Sequence, residues 1–164
     1  MLSGKRLICN NEATEAICIL SPTLKLRLRA YNNGIAFRYE LSDLQDDSIM
    51  GELTTYHIKE GLRRWMQNYQ PSYEDFFPMT TGQPQEASCK RHWGYPALIE
   101  AQKAQCYALY SEADITPNQS ASSLKGYGNG GYQVSTDRNP LHLNGNWHTP
   151  WRVIIIGKLS DVVE

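Results

Sequence analysis

Few side chains in this 164-residue sequence sit at spacings that chemistry requires. His57, His92, His142 and His148 are never four residues apart, which excludes a helical two-histidine zinc site. His148 stands near Trp147 and Trp151, where it can line a pocket or pack as a neutral imidazole. No G-x-S-x-G nucleophile turn is present. Cys9, Cys18, Cys89 and Cys106 are widely separated and none belongs to a C-x-x-C pair, so a zinc site is disfavoured. Cys18 and Cys106 fall in apolar runs and read as unpaired core thiols. Glu112 closes the apolar run Gln105 to Tyr110, where a side chain leaves the core, and Asp114 follows two positions on. Together they can offer oxygens to a hard cation such as calcium, which takes about six to eight. Equally, they can be the exposed acids of a turn. Neighbouring acids at one strand end do not flank a sugar from opposite faces, so glycoside hydrolysis by this pair is not expected. Trp65, Tyr69, Tyr73, Trp93, Trp147 and Trp151 can stack on sugar rings or fill a core.

The elements that must hold these residues are strands. Leu24, Leu26, Leu28 and Ala30 alternate with Lys25, Arg27, Arg29 and Tyr31, giving one apolar and one basic face. Ile35, Phe37 and Tyr39 oppose Ala36, Arg38 and Glu40 in the next run, and Asn32-Asn33-Gly34 between them predicts a hairpin whose turn uses positive φ. Leu41 to Gly51, with Asp43, Asp46 and Asp47, reads as a solvated connection; no glycine sits where a twelve-residue calcium loop needs it, and the closing glutamate is misplaced. Glu52 to Ile58 alternates as a strand. The aromatic stretch Glu60 to Thr81 is irregular, with room for a helical turn near Leu62 to Met66, and Thr80 to Gly94 is polar and turn-rich. Pro96 to Glu100 and Gln105 to Tyr110 read as two strands about Ala101 to Ala104. After Ser111 to Asp114 the chain is dense in Ser, Gly and Asn as far as Gly131, and GYGNGG at Gly126 to Gly131 reads as a flexible loop. Tyr132 to Ser135 is a further strand, Asn144 to Thr149 a turn-rich approach, and Trp151 to Gly157 the most apolar strand, expected mid-sheet. Seven to nine short strands with little helix predict an all-β fold, an antiparallel β-sandwich.

Composition narrows the function classes. A net charge of -1 removes any general electrostatic case for nucleic acid. No apolar run approaches the roughly 18 residues of a membrane span. The first residues, MLSGKRLICNNEATEA, show no leader pattern, so the sequence as it stands reads as cytoplasmic or as missing its beginning.

Three pieces, RAYNNGIAFRYE at Arg29 to Glu40, YSEAD at Tyr110 to Asp114 and TPWRVIIIG at Thr149 to Gly157, resemble in order and spacing the N-terminal β-sandwich domain of glycoside hydrolase family 97. That family contains α-glucosidases and α-galactosidases of gut Bacteroides-type bacteria. The resemblance implies a supersandwich, galactose-mutarotase-like fold over residues 1–164, incomplete relative to the family because it matches the later part of that domain. It implies α-glucoside or α-galactoside substrates, handled by a (β/α)8 barrel that this sequence does not contain, so no catalytic residue is expected here. Matched onto the family's motif, Glu112 is implied as a calcium ligand, with weak or no calcium binding by this chain alone; Asp114 is not supported. A periplasmic or secreted location follows from the same resemblance. An incomplete sandwich implies open sheet edges and self-association. A free-standing carbohydrate-binding module using exposed aromatics is the alternative.

Overall fold

A computed structural model describes residues 12–72, 74–82, 91–101 and 105–163. Residues 102–104, where a reversal was expected, and Tyr73, Cys9 and Cys89 lie outside the described residues. The described chain forms β1 (Thr14–Ile19), β2 (Leu24–Tyr31), β3 (Gly34–Ile49), β4 (Thr55–His57), β5 (Arg64–Trp65), β6 (Met79–Thr80), β7 (His92–Trp93), β8 (Ala97–Ala101), β9 (Cys106–Ala113), β10 (Ser122–Gly128), β11 (Gly131–Thr136), β12 (Leu141–His148), β13 (Trp151–Gly157) and a short helix α1 (Leu159–Val163). The larger sheet runs β1-β2-β3-β13-β9-β8-β5-β6, with β12 also paired to β3, and the smaller runs β4-β11-β10-β7. Every pairing is antiparallel. The all-β sandwich reading holds, and the apolar β13 lies mid-sheet between β3 and β9, as its composition requires.

The core lies between the sheets. Tyr56, Ile58, Trp93, Leu124, Tyr132 and Val134 from the smaller sheet and its flanks meet Ala97 and Ile99 of the larger sheet, with Phe37, Tyr110 and Ile154 of that sheet packed against them. Tyr56 meets Tyr110 edge-on, ring centroids 5.1 Å apart, the offset geometry that aromatic quadrupoles favour. Fully burying side chains such as Leu124 or Met66 contributes about 1.5–3 kcal/mol each.

Several local expectations are corrected. The β2–β3 reversal uses Asn32 and Asn33 as a two-residue loop, Tyr31 pairing with Gly34, and neither asparagine has positive φ. Gly34 serves a different need: a Cβ there would lie 2.3 Å from the Ile154 carbonyl oxygen of the crossing strand. The segment from Leu41 is no loop but the second half of β3, paired with β12, which also replaces the expected turns at Asn144 to Thr149. Asp43 and Asp46 sit at irregularities with φ of 58° and 59°, and their amides are bonded by Asn146 and Asn144 side chains. These extra residues break the period-2 pattern, hiding a strand whose Leu44 packs with Leu143 and Trp147. The Ser/Gly segment is likewise ordered: β10 and β11 form a hairpin through Asn129 and Gly130, with φ of 51° and 72°, the pair of positive values that an Asn-Gly turn supplies. No helical turn forms at Leu62 to Met66, where β5 pairs with β8 instead. Cys18 is exposed on edge strand β1 rather than in the core, and Cys106 is half-buried; both are free thiols.

Candidate functional site: a buried arginine between two glutamates

The antiparallel register fixes one row across three strands. Arg152 of β13 pairs with Phe37 of β3 on one side and with Glu112 of β9 on the other. Directly paired residues share a face, so Arg152 and Glu112 point with Phe37 toward the smaller sheet. One pair further along, Ile154 and Tyr110 lie on the same face and join the core. Above the row, Ser122 opens β10, and Glu52 descends from the segment before β4.

Four polar side chains close on one another there. The Arg152, Glu112 and Glu52 side chains are 1%, 6% and 7% exposed, and charges so deeply placed persist only when paired. Arg152 Nε and Nη2 donate to the two Glu52 oxygens at 3.1 and 2.5 Å. Arg152 Nη1 donates to Glu112 Oε1 and to Ser122 Oγ, the latter at 3.1 Å, and Ser122 Oγ donates to the same Glu112 Oε1. Glu112 Oε2 accepts no hydrogen bond among the described residues. Burial works against the Arg152 charge, yet the hydrogen bond and charge of Glu52 outweigh it and raise its pKa. Burial also pushes the phenols of Tyr56 and Tyr95 beside it well up, keeping them neutral.

Glu112 is therefore not the exposed acid at a strand end. β9 runs on to Ala113, and Glu112 faces inward because it stands opposite Arg152. Asp114 parts company with it: at φ 59° it leaves the strand and pairs with Arg38 at 3.0 Å, half exposed. The two carboxylates do not form a shared ligand pair. On the opposite face, Trp151 is held between the Arg29 and Arg38 guanidinium groups, 4.4 and 4.5 Å from its ring centre. Glu40 joins Arg27 and Arg38 there, and its hydrogen bond from Arg27 chiefly lowers its pKa.

The remaining candidates are dispersed. His148 Nδ1 lies 3.0 Å from the Thr149 carbonyl oxygen and lines a hollow of about 270 Å³ with Lys25 and Glu40. His92 and His142 bond Ser123 and Ser48. No three His, Cys, Asp or Glu side chains among the described residues stand close enough to share a metal ion. Trp93, Trp147 and Trp151 are buried, while Trp65 and Tyr69 are half-buried. A cavity of about 360 Å³ adjoins the buried cluster, with Tyr39, Leu41, Trp147 and Pro150 as apolar walls and Glu52 and Arg152 at its polar side.

Glu52, Arg152 and Ser122 escaped the reading of the sequence. Arg152 carried the usable signal: a charge inside the most apolar strand of the chain demands a buried counter-charge. Ser122 is indistinguishable within a serine-rich run, and the link from Glu52 spans 100 residues of sequence.

A two-sheet antiparallel sandwich with a buried arginine-carboxylate row defines the class as an all-β sandwich domain. The model of the family described as Glycosyl-hydrolase 97 N-terminal matches residues 1–164, and the chain belongs to that family. A probable retaining alpha-galactosidase of Streptomyces bingchenggensis (strain BCW-1) is 27% identical over 143 residues, covering 85% of this chain and 21% of that protein. A glycoside hydrolase family 97 enzyme from Pseudoalteromonas sp. strain K8, solved in complex with acarbose, superposes with a TM-score of 0.70 at 18% identity, over 93% of this chain and 28% of that one. A beta-arabinopyranosidase gives a TM-score of 0.72 at 20% identity, over 88% and 27%. At these identities the solved structures show the shared fold. The chain spans about a fifth of the curated relative's length. No helix among the described residues is long and apolar enough to cross a membrane.

Proposed function

We propose that this chain is the non-catalytic sandwich segment of a family 97 α-glycosidase. In this reading it works with a catalytic barrel on α-glucosides or α-galactosides and contributes Glu112 as one oxygen ligand of a calcium ion. The family membership and the glycosidase relatives support the first part. The observation that carries the second is the inequality of the two Glu112 oxygens: Oε1 takes hydrogen bonds from Arg152 and Ser122, while Oε2 takes none among the described residues. That donor set fits one place in a calcium shell. Glu52 does not add a second, because both its oxygens are engaged by Arg152. A bound calcium would supply positive charge to polarise a sugar or carboxylate oxygen; the rest of its shell belongs to the barrel. Hydrolysis by this chain alone is not expected. A periplasmic or secreted location goes with the same reading.

The test is the gene on both sides of this reading frame, together with calcium calorimetry on the protein it encodes. A neighbouring barrel and a Glu112→Gln substitution that raises the calcium Kd about tenfold, the loss of one charged ligand at ~1.4 kcal/mol, support the proposal. Absence of any barrel, or an unchanged Kd, contradicts it. The chain also carries exposed apolar side chains at both ends of its larger sheet, Ile17 and Ile19 on β1 and Met79 on β6, so self-association through these edges is part of the proposal. Light scattering that shows a monomer at all concentrations removes that part.

A further inference from the structure

We propose that Glu52 is the positioning residue that keeps Glu112 Oε2 open, by occupying the two-toothed side of the Arg152 fork. The inference rests on the reading of Glu112 as a ligand, and it concerns a residue to which that reading gives no role. Arginine presents five N–H donors in a rigid plane and, beside a carboxylate, favours two parallel bonds that engage both oxygens. Register places Arg152 directly opposite Glu112, so that arrangement is within reach of a rotation of the guanidinium. It is not what the site contains. Nε and Nη2 face Glu52 at 3.1 and 2.5 Å, and only Nη1 is left for Glu112.

Ser122 completes the device. Its Oγ, accepting from Arg152 Nη1 at 3.1 Å, donates to Glu112 Oε1. One oxygen is thus held by two donors from two strands of different sheets, and the carboxylate cannot turn about its Cγ–Cδ bond without breaking both bonds. The other oxygen is left in a defined direction and takes no hydrogen bond among the described residues. Glu52 comes from the segment before β4, outside the sheet that carries Arg152 and Glu112. It therefore adjusts the fork without altering the register that sets the two partners face to face.

Crystal structures of the chain and of Glu52→Gln decide the matter. The substitution removes one of two negative charges around a single arginine, so the buried cluster becomes neutral and the fold is not opposed by a new unpaired charge. The expected result is an Arg152 fork turned onto Glu112, with donors about 3 Å from both Oε1 and Oε2. A Glu112 still held through Oε1 alone overturns the proposal. Glu52→Asp, which keeps the charge with a shorter reach, is expected to preserve the open Oε2 and serves as the conservative rescue. A terbium luminescence titration accompanies the structures: Glu52→Gln is expected to weaken terbium binding about tenfold and Glu52→Asp less than threefold. Equal affinity in the chain and in Glu52→Gln also counts against the proposal. Loss of the ligand reading itself is recognised separately, because then Glu112→Gln leaves terbium binding unchanged while the Glu52→Gln coordinates still judge the fork.

Discussion

Replacing Arg152 by methionine removes the cation that pairs, among the described residues, with two carboxylates whose side chains are 6% and 7% exposed. The volume is nearly kept, so the cost is electrostatic. Breaking a buried pair by deleting one partner costs about 3–5 kcal/mol, because the surviving charges stay desolvated and uncompensated. Here two glutamates are stranded close together, which places the expected value at the upper end of about 3–5 kcal/mol. Against a total stability of about 5–15 kcal/mol for an ordinary domain, the variant stands near the limit of folding. The assay is urea unfolding at pH 7, in trimethylamine oxide where needed, followed by the fluorescence of the buried tryptophans. The combination Arg152→Met, Glu52→Gln and Glu112→Gln is expected to recover most of the loss, since neutral groups carry far smaller desolvation costs. A loss below about 1 kcal/mol at pH 7, the level of an exposed pair, refutes the account of this cluster.

Other expectations are more local. Gly34→Ala puts a Cβ 2.3 Å from the Ile154 carbonyl oxygen and should cost about 1–3 kcal/mol as an overpacking strain, read as a lower urea midpoint. On the outer face the folded pKa of Glu40 lies below its ordinary value of 4.5, chiefly through the Arg27 hydrogen bond. Its stabilisation is therefore fully present above about pH 4.5 and is lost as pH falls through the folded value. Glu40→Gln should flatten the acid limb of a stability–pH curve, and an unchanged limb removes the argument. Maltooligosaccharide or galactoside titration of the chain should leave tryptophan fluorescence unchanged, since Trp93, Trp147 and Trp151 are buried and the half-buried Trp65 ring is faced by the Arg63 guanidinium; saturable quenching would favour a carbohydrate-binding module instead.

The sequence exposed those parts of the fold that obey strict alternation. The β2–β3 hairpin was legible because its apolar face never slips register, and central β13 because an unbroken apolar run marks a strand in the middle of a sheet. Where the backbone departs from regular pleat, pattern reading failed: Asp43 and Asp46 at the irregularities of β3 looked like loop residues, and β12 opposite them looked like a string of turns. The Asn129-Gly130 turn was visible in principle, but the surrounding glycines masked it as a flexible segment. At the site, Glu112 was legible as a residue of interest, though its setting was misread because the strand was ended too early. Its partners were not legible, since Glu52 and Ser122 meet Arg152 only after the two sheets close. A buried ion network is a tertiary property, and its sole local trace was the arginine embedded in WRVIIIG.

Under the proposed function, Glu112 offers a hard cation the carboxylate oxygen that takes no hydrogen bond among the described residues. Terbium luminescence, sensitised by Tyr110 on the same face of the larger sheet and by Tyr56 packed against it, tests it on the chain itself when titrations of the parent and of Glu112→Gln are compared. The account expects a weak component of terbium binding that disappears in Glu112→Gln while the thermal unfolding stays cooperative. Superimposable titrations of the two proteins would contradict it.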